Sequence, residues 1–166
     1  MRIMPLTQGK VALVDDEDYK WLSVFKWYPI TNKAGNTYAW TGVKQLDGKW
    51  KTKRMHRMIL EAPDGVQVDH VNHEGLDNRR ANIRLCTASQ NLCNRRKIKD
   101  TTSIYKGVYW CPRNKKWRAQ IYRHGTVHLG MFTHQEDAAE AYNKAALSYY
   151  GAFAHLNALH DTCIDM

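Results

Sequence analysis

The chain has 166 residues, a formal net charge of +9 and 43% hydrophobic residues. That length suits one ordinary domain or two small ones, with enough apolar content to fold. No apolar run reaches the roughly 18 residues a membrane-spanning helix needs and the N-terminus carries no signal-peptide pattern, so a soluble, intracellular protein with no membrane partner is expected.

Residues 1–62 read mainly as β. Val11, Leu13 and Val14 form a short apolar run, and Asp15-Asp16-Glu17-Asp18 reads as a turn. Trp21, Leu22 and Phe25 follow at helical spacing before the strand-like Trp27-Tyr28. Tyr38-Ala39-Trp40 and Lys53–Met55 flank a hairpin expected around Leu46-Asp47-Gly48-Lys49. Met55, Met58, Ile59 and Leu60 suit a short core helix, and the aromatic residues read as core and sheet packing. His56 and Arg57 are candidates for a DNA phosphate contact, with a structural role for His56 equally open.

Residues 66–100 carry the chemistry. Val66-Gln67-Val68 alternates as a strand running into Asp69-His70, and Ile83-Arg84-Leu85-Cys86 reads as the returning strand. Thr87 with Gln90 three residues on forms a capping box, which places Asn91 in the second turn of a helix ending near Arg95, Arg96 and Lys97. Asp69 offers a carboxylate oxygen and Asn91 an amide oxygen, a pair that suits magnesium or manganese. His70 beside them can take a proton from an attacking water. Residues 43–100 hold 13 basic and 7 acidic residues, net +6, as a polyanionic substrate favours.

The stretch from Val68-Asp69-His70-Val71 through Asn78-Arg79-Arg80-Ala81-Asn82-Ile83-Arg84 to Asn91 closely resembles the HNH endonuclease motif. It resembles the variant, familiar in phage and intron homing endonucleases, in which asparagine replaces the last histidine. The resemblance implies that Asp69 and Asn91 bind one divalent metal ion, Mg²⁺ or Mn²⁺, at the scissile phosphate and leaving 3′ oxygen. His70 is then the general base, and Asn82 ties the loop between the strands so that His70 points correctly. Arg84 is a candidate for holding the phosphate or stabilising developing charge, with a plain surface arginine as the alternative. Asn78 reads as a loop-capping residue rather than a ligand.

Residues 104–157 read as a second unit. Strands are expected at Tyr105–Tyr109, Lys116–Tyr122 and Val127–Phe132, then a helix opened by a Thr133–Glu136 capping box and ended by Gly151. Residues 104–128 hold six basic residues and no acid, whereas residues 129–166 set Lys144 against five acids. Tyr105, Gly107-Val108, Trp117, Ile121, Leu129-Gly130, Phe132, Glu136, Ala138-Ala139, Ala141-Tyr142, Ala145-Ala146, Gly151 and Asn157 match the APETALA2/ethylene-response-factor (AP2/ERF) DNA-binding domain, which this stretch strongly resembles. That resemblance implies a three-stranded sheet backed by one helix, with Lys106, Tyr109, Arg113, Arg118, Gln120, Tyr122 and His128 facing the DNA major groove. Tyr109, Tyr122 and His128 depart from the arginines and tryptophan of plant members, so plant target sequences do not transfer.

The expected fold class is therefore α+β. An N-terminal β-rich segment leads into a ββα-metal module (about 66–98) within an HNH domain spanning 1–100, and a three-stranded antiparallel sheet packed on one helix follows at 104–157. A short polar linker, Lys99–Ser103, joins them. The expected partner is double-stranded DNA, with a monomer nicking one strand and a homodimer cutting both. The alternative is a non-catalytic, sequence-specific DNA-binding regulator. Cys86, Cys93, Cys111 and Cys163 form no Cys-x-x-Cys pair and are expected to be reduced thiols rather than zinc ligands.

Overall fold

A computed structural model of the chain describes residues 1–97 and 101–159; Lys99 and Asp100 of the expected linker, His160 and Cys163 lie outside them. The chain divides into two units, Met1–Asn91 and Leu92–Met166.

In the first unit, β1 (Arg2–Pro5) and β2 (Val11–Val14) pair antiparallel, Arg2 opposite Val14 and Pro5 opposite Val11. Strand alternation turns Met4, Ala12 and Val14 into the core. The acidic run expected as a turn is instead the start of α1 (Asp16–Leu22). Asp16, Glu17 and Asp18 occupy its first turn, where the positive end of the helix dipole favours anions. β3 (Tyr28–Thr31), β4 (Thr37–Lys44) and β5 (Trp50–Arg54) form an antiparallel sheet in that order, and α2 (Met55–Ile59) follows. The hairpin turn between β4 and β5 places Gly48 at φ 81°, a left-handed conformation that favours glycine. Trp27, Leu22, Met55, Ala39, Ile59 and Ile83 complete the core, with the Trp27 indole N–H satisfied by the Leu22 carbonyl at 2.9 Å.

β6 (Gln67–His70) and β7 (Ile83–Cys86) form a two-stranded antiparallel sheet, and α3 (Ala88–Cys93) follows. The capping box at the start of α3 is present as expected. Thr87 N–H donates to Gln90 Oε1 at 2.9 Å, and Gln90 N–H donates to Thr87 Oγ1 at 3.2 Å. The loop between β6 and β7 is anchored far from its own sequence neighbourhood. Leu13 N–H donates to the Leu76 carbonyl and Asn78 N–H to the Leu13 carbonyl, each at 2.8 Å. Arg80 reaches α1, its Nε and Nη2 donating to the two Asp18 carboxylate oxygens at 2.8 Å each.

In the second unit, β8 (Val108–Cys111), β9 (Lys116–Tyr122) and β10 (Thr126–Phe132) form an antiparallel sheet in the order β10-β9-β8. α4 (Gln135–Tyr150) buries Ala138, Ala139, Tyr142 and Ala146 in this unit's core with Val108, Ala119 and Ile121. Gly107 has φ 76°, and a Cβ there would stand 2.2 Å from the Tyr142 ring, so no larger residue fits. Two expectations need correction. The first strand begins at Val108 rather than Tyr105, because Tyr105 is drawn into the core. The expected Thr133–Glu136 capping box does not open α4: His134 holds the N-cap position and makes no side-chain capping bond. Gly151 caps the helix C-terminus at φ 52°, as expected. The architecture is α+β. Among the described residues Cys86, Cys93 and Cys111 are free thiols, and no helix is long and apolar enough to cross a membrane.

Asp18 is 1% exposed and depends on Arg80, so removing that guanidinium strands a buried carboxylate. Because Arg80 is itself half exposed, Arg80→Ala is expected to lower the unfolding free energy of the first unit by about 2–3 kcal/mol. A urea titration followed by tryptophan fluorescence reads the change.

Candidate active site

Asp69 and His70 end β6, and successive strand residues leave on opposite sides, so carboxylate and imidazole straddle the end of the strand. Both are buried. Arg84 stands directly opposite Asp69 in the β6–β7 register, and its Nε and Nη2 donate to Asp69 Oδ2 at 2.9 and 2.7 Å. Arg84 is thus neither a plain surface residue nor isolated from the carboxylate. It compensates the Asp69 charge across the two strands.

Asn91 of α3 donates through Nδ2 to Gln67 Oε1 at 2.6 Å. Gln67 and Asp69 lie on the same face of β6, about 7 Å apart along the strand. The helix therefore carries Asn91 to the carboxylate's side. With Nδ2 committed to Gln67, Oδ1 is the amide atom with coordinating capacity. A carboxylate and an amide oxygen on one strand face are hard donors that fit magnesium or manganese.

His70 is oriented by Asn78. His70 Nε2 lies 3.4 Å from Asn78 Oδ1, and Asn78 Nδ2 donates to the Leu76 carbonyl at 3.2 Å. That second bond fixes which way the amide faces, and an oxygen only accepts. Nε2 therefore carries the proton and Nδ1 is the basic nitrogen. Burial pushes the His70 imidazole down, opposed by the Asn78 hydrogen bond and by the charges of Asp69 and Asp77. The ring is held neutral, as a base requires.

The loop that carries Asn78 is stitched by Asn82. Asn82 Oδ1 accepts from Asn72 N–H at 3.0 Å, and Asn82 Nδ2 donates to the Asp77 carbonyl at 2.8 Å. The Asp77 carboxylate accepts from Arg79 Nε and Nη2 at 2.8 and 2.7 Å and from Asn72 Nδ2 at 2.9 Å. These bonds, led by Arg79, hold the Asp77 carboxyl below the usual carboxylate range.

His56 packs perpendicular to His70 with ring centroids 4.9 Å apart, and the Tyr38 ring lies 5.7 and 5.8 Å from the two histidines. His56 is 2% exposed, so the expected phosphate contact is replaced by a core position behind His70. Burial, ahead of the charges on His70, Arg54 and Arg57, pushes its imidazole down to about 2. Arg57 also departs from the expected DNA contact. Its guanidinium donates to the carbonyls of Val66, Ala62 and Pro63 at 2.6, 3.1 and 2.8 Å, which fixes the turn entering β6. Neither the place of Tyr38 at the site nor the orienting role of Asn78 is legible in the sequence, because both act through contacts made only on folding.

In the second unit, Tyr109 pairs with Arg118 and Gln120 with His128 across the sheet. With Tyr122 they occupy the face opposite the buried Val108, Ala119 and Ile121. Arg113 is exposed in the turn between β8 and β9. Lys106 is not on that face. It is partly buried, its Nζ donating to the Cys93 and Arg95 carbonyls at 2.7 Å each, and burial pushes it down to about 8. Arg95 and Arg96 are exposed but lie beyond the end of α3, which stops at Cys93.

Residues 53–93, from the end of β5 through α3, match the HNH endonuclease family. Over 154 residues the chain is 31% identical to the Uncharacterized HNH endonuclease L560 of Acanthamoeba polyphaga mimivirus, covering 90% of this chain and 76% of that one. It is 30% identical over 84 residues to Protein 3.8 of Escherichia phage T7, covering 48% of this chain and 69% of that one. A stretch of 57 residues is 53% identical to an AP2/ERF and B3 domain-containing protein of Oryza sativa subsp. japonica, 34% of this chain and 15% of that one.

A buried neutral His56 has a pH consequence. Its imidazole stays unprotonated in the folded chain down to about 2, while the unfolded chain takes up that proton below about 6.5. The unfolded state then binds more protons, so stability is fully present above about pH 6.5 and falls as pH drops through the window below it. Urea unfolding at neutral pH and at about pH 5 is expected to show this loss, and a smaller one in His56→Phe.

Proposed function

Because the chain belongs to the HNH endonuclease family, we propose that this nuclease is a metal-dependent, homing-type DNA endonuclease, positioned on its substrate by the sheet of the second unit. The reading is carried by His70, held with Nδ1 as its base by Asn78, beside Asp69 and on the strand that Asn91 approaches. Asp69 and Asn91 are the residues that would hold the ion. Bound there, magnesium or manganese supplies charge stabilisation at the scissile phosphate and the leaving 3′ oxygen.

The other steps belong to side chains. His70 Nδ1 takes a proton from the attacking water, and the resulting imidazolium is stabilised by the Asn78 oxygen and by the charges of Asp69 and Asp77. Asn82 and Asn78 are positioning residues: one fixes the loop, the other the ring. Arg84 keeps the buried Asp69 carboxylate compensated and is the guanidinium offered to an arriving phosphate.

The second unit is read as an AP2/ERF-like module. Its face of Tyr109, Arg118, Gln120, Tyr122 and His128, with Arg113 at the adjoining turn, offers groups suited to base edges and sugars in the major groove of duplex DNA. One catalytic centre per chain nicks one strand, and a homodimer cuts both.

Supercoiled plasmid incubated with Mg²⁺ or Mn²⁺ is expected to convert to open-circle or linear DNA, and not to convert in EDTA. His70→Ala is expected to slow that conversion about 10²–10⁴-fold, the scale of general-base catalysis. Failure of both plasmid and a genomic library to be cut with metal would overturn the proposal. Arg118→Ala is expected to weaken duplex binding by about 1–3 kcal/mol, measured by fluorescence titration.

A further inference from the structure

The hairpin of β4 and β5 has two faces. Tyr38, Trp40, Gly42 and Lys44 of β4 share one face with Thr52, Arg54 and Trp50 of β5, through the pairs Trp40–Arg54, Gly42–Thr52 and Lys44–Trp50. This face starts at the candidate active site, since the Tyr38 ring lies 5.8 Å from His70. It runs outward through Arg54, whose guanidinium lies 4.6 Å from the Trp40 ring centre and 5.7 Å from that of Tyr38. It ends at Lys44 and Trp50, both exposed.

Trp50 is 72% exposed and lies across Gly42, where an added Cβ would meet the indole at 3.3 Å. An open groove of about 520 Å³ adjoins it, lined by Val24, Lys26, Tyr28, Lys44 and Trp50 among others. Residues 37–54 set Lys44, Lys49, Lys51, Lys53 and Arg54 against Asp47 alone. Lysines on an edge strand also guard against strand-to-strand aggregation, which accounts for Lys51 and Lys53 on the other face. It does not account for Trp50, an exposed indole that works against such protection.

We propose that the Tyr38–Trp50 face of the first unit is a second duplex DNA-binding surface, holding the DNA that flanks the scissile phosphate. The inference rests on the nuclease reading for its substrate. A polyanion is the partner this basic, aromatic face complements. The seven residues of extended strand from Tyr38 to Lys44 reach about 20 Å, which spans about six base pairs at 3.4 Å each. Lys44 and Arg54 neutralise phosphates, and Trp50 and Trp40 give flat apolar contact to the sugar edge.

The test is equilibrium binding of the full chain to fluorescent random-sequence duplex DNA in EDTA over a range of salt concentrations. Lys44→Ala/Trp50→Ala is expected to bind about tenfold more weakly, with the salt slope shallower by about 0.9 for the one lysine removed. Lys51→Ala/Lys53→Ala, on the opposite face, is the control and is expected to lose less. Unchanged affinity and slope in the first variant, or an equal or larger loss in the second, would overturn the proposal. EDTA silences the chemistry, so failure here leaves the plasmid-cleavage result standing. Conversely, a wild-type chain that does not cleave but shows this face-dependent loss overturns the nuclease reading alone.

Discussion

The candidate active site depends on a buried polar loop. Asp77, Asn78 and Asn82 sit between β6 and β7 with little exposure, and buried polar groups are costly unless paired. Each finds partners in the loop itself or at the strand ends, and the backbone of Leu13 holds the loop from outside. This pairing selects one amide orientation at Asn78, hence one tautomer at His70. An apolar loop of the same length would leave the imidazole free to choose either nitrogen.

A second compensation stands on the other side of β6. Asp69 is a buried carboxylate, tolerable because Arg84 lies opposite it in register. The two halves of the site are therefore built by different means, a cross-strand ion pair at Asp69 and a neutral hydrogen-bonded ring at His70. Arg80 and Asp18 then lock the loop to α1, so the first unit's apolar core and its chemistry share one frame.

Much of this was legible locally. β7 and β9 appear at their expected residues, and the Thr87–Gln90 capping box forms, because strand alternation and capping are set by residues a few positions apart. The same local logic failed at Thr133, where the N-cap falls one residue later at His134, and at Tyr105, where burial of the ring outweighed its strand propensity. Their place beside the HNH-like motif makes His56 and Arg57 candidates for a phosphate contact, with a structural role for His56 equally open, and the AP2/ERF resemblance implies a DNA-facing Lys106. Folding spends them instead on packing and on backbone carbonyls.

The sequence by itself determined the chemistry available: a carboxylate, an imidazole and an amide at the spacing of an HNH motif, and basic residues gathered ahead of an acidic helix. Those are properties of residue identity and order, and they survive any change of conformation. Only the tertiary structure decided which nitrogen of His70 carries the proton, that Arg84 faces Asp69, and that Tyr38 joins the β4–β5 sheet to the candidate active site. Each of these is a contact between groups at least eight residues apart, where geometry is fixed by the packing of separate elements rather than by any local pattern.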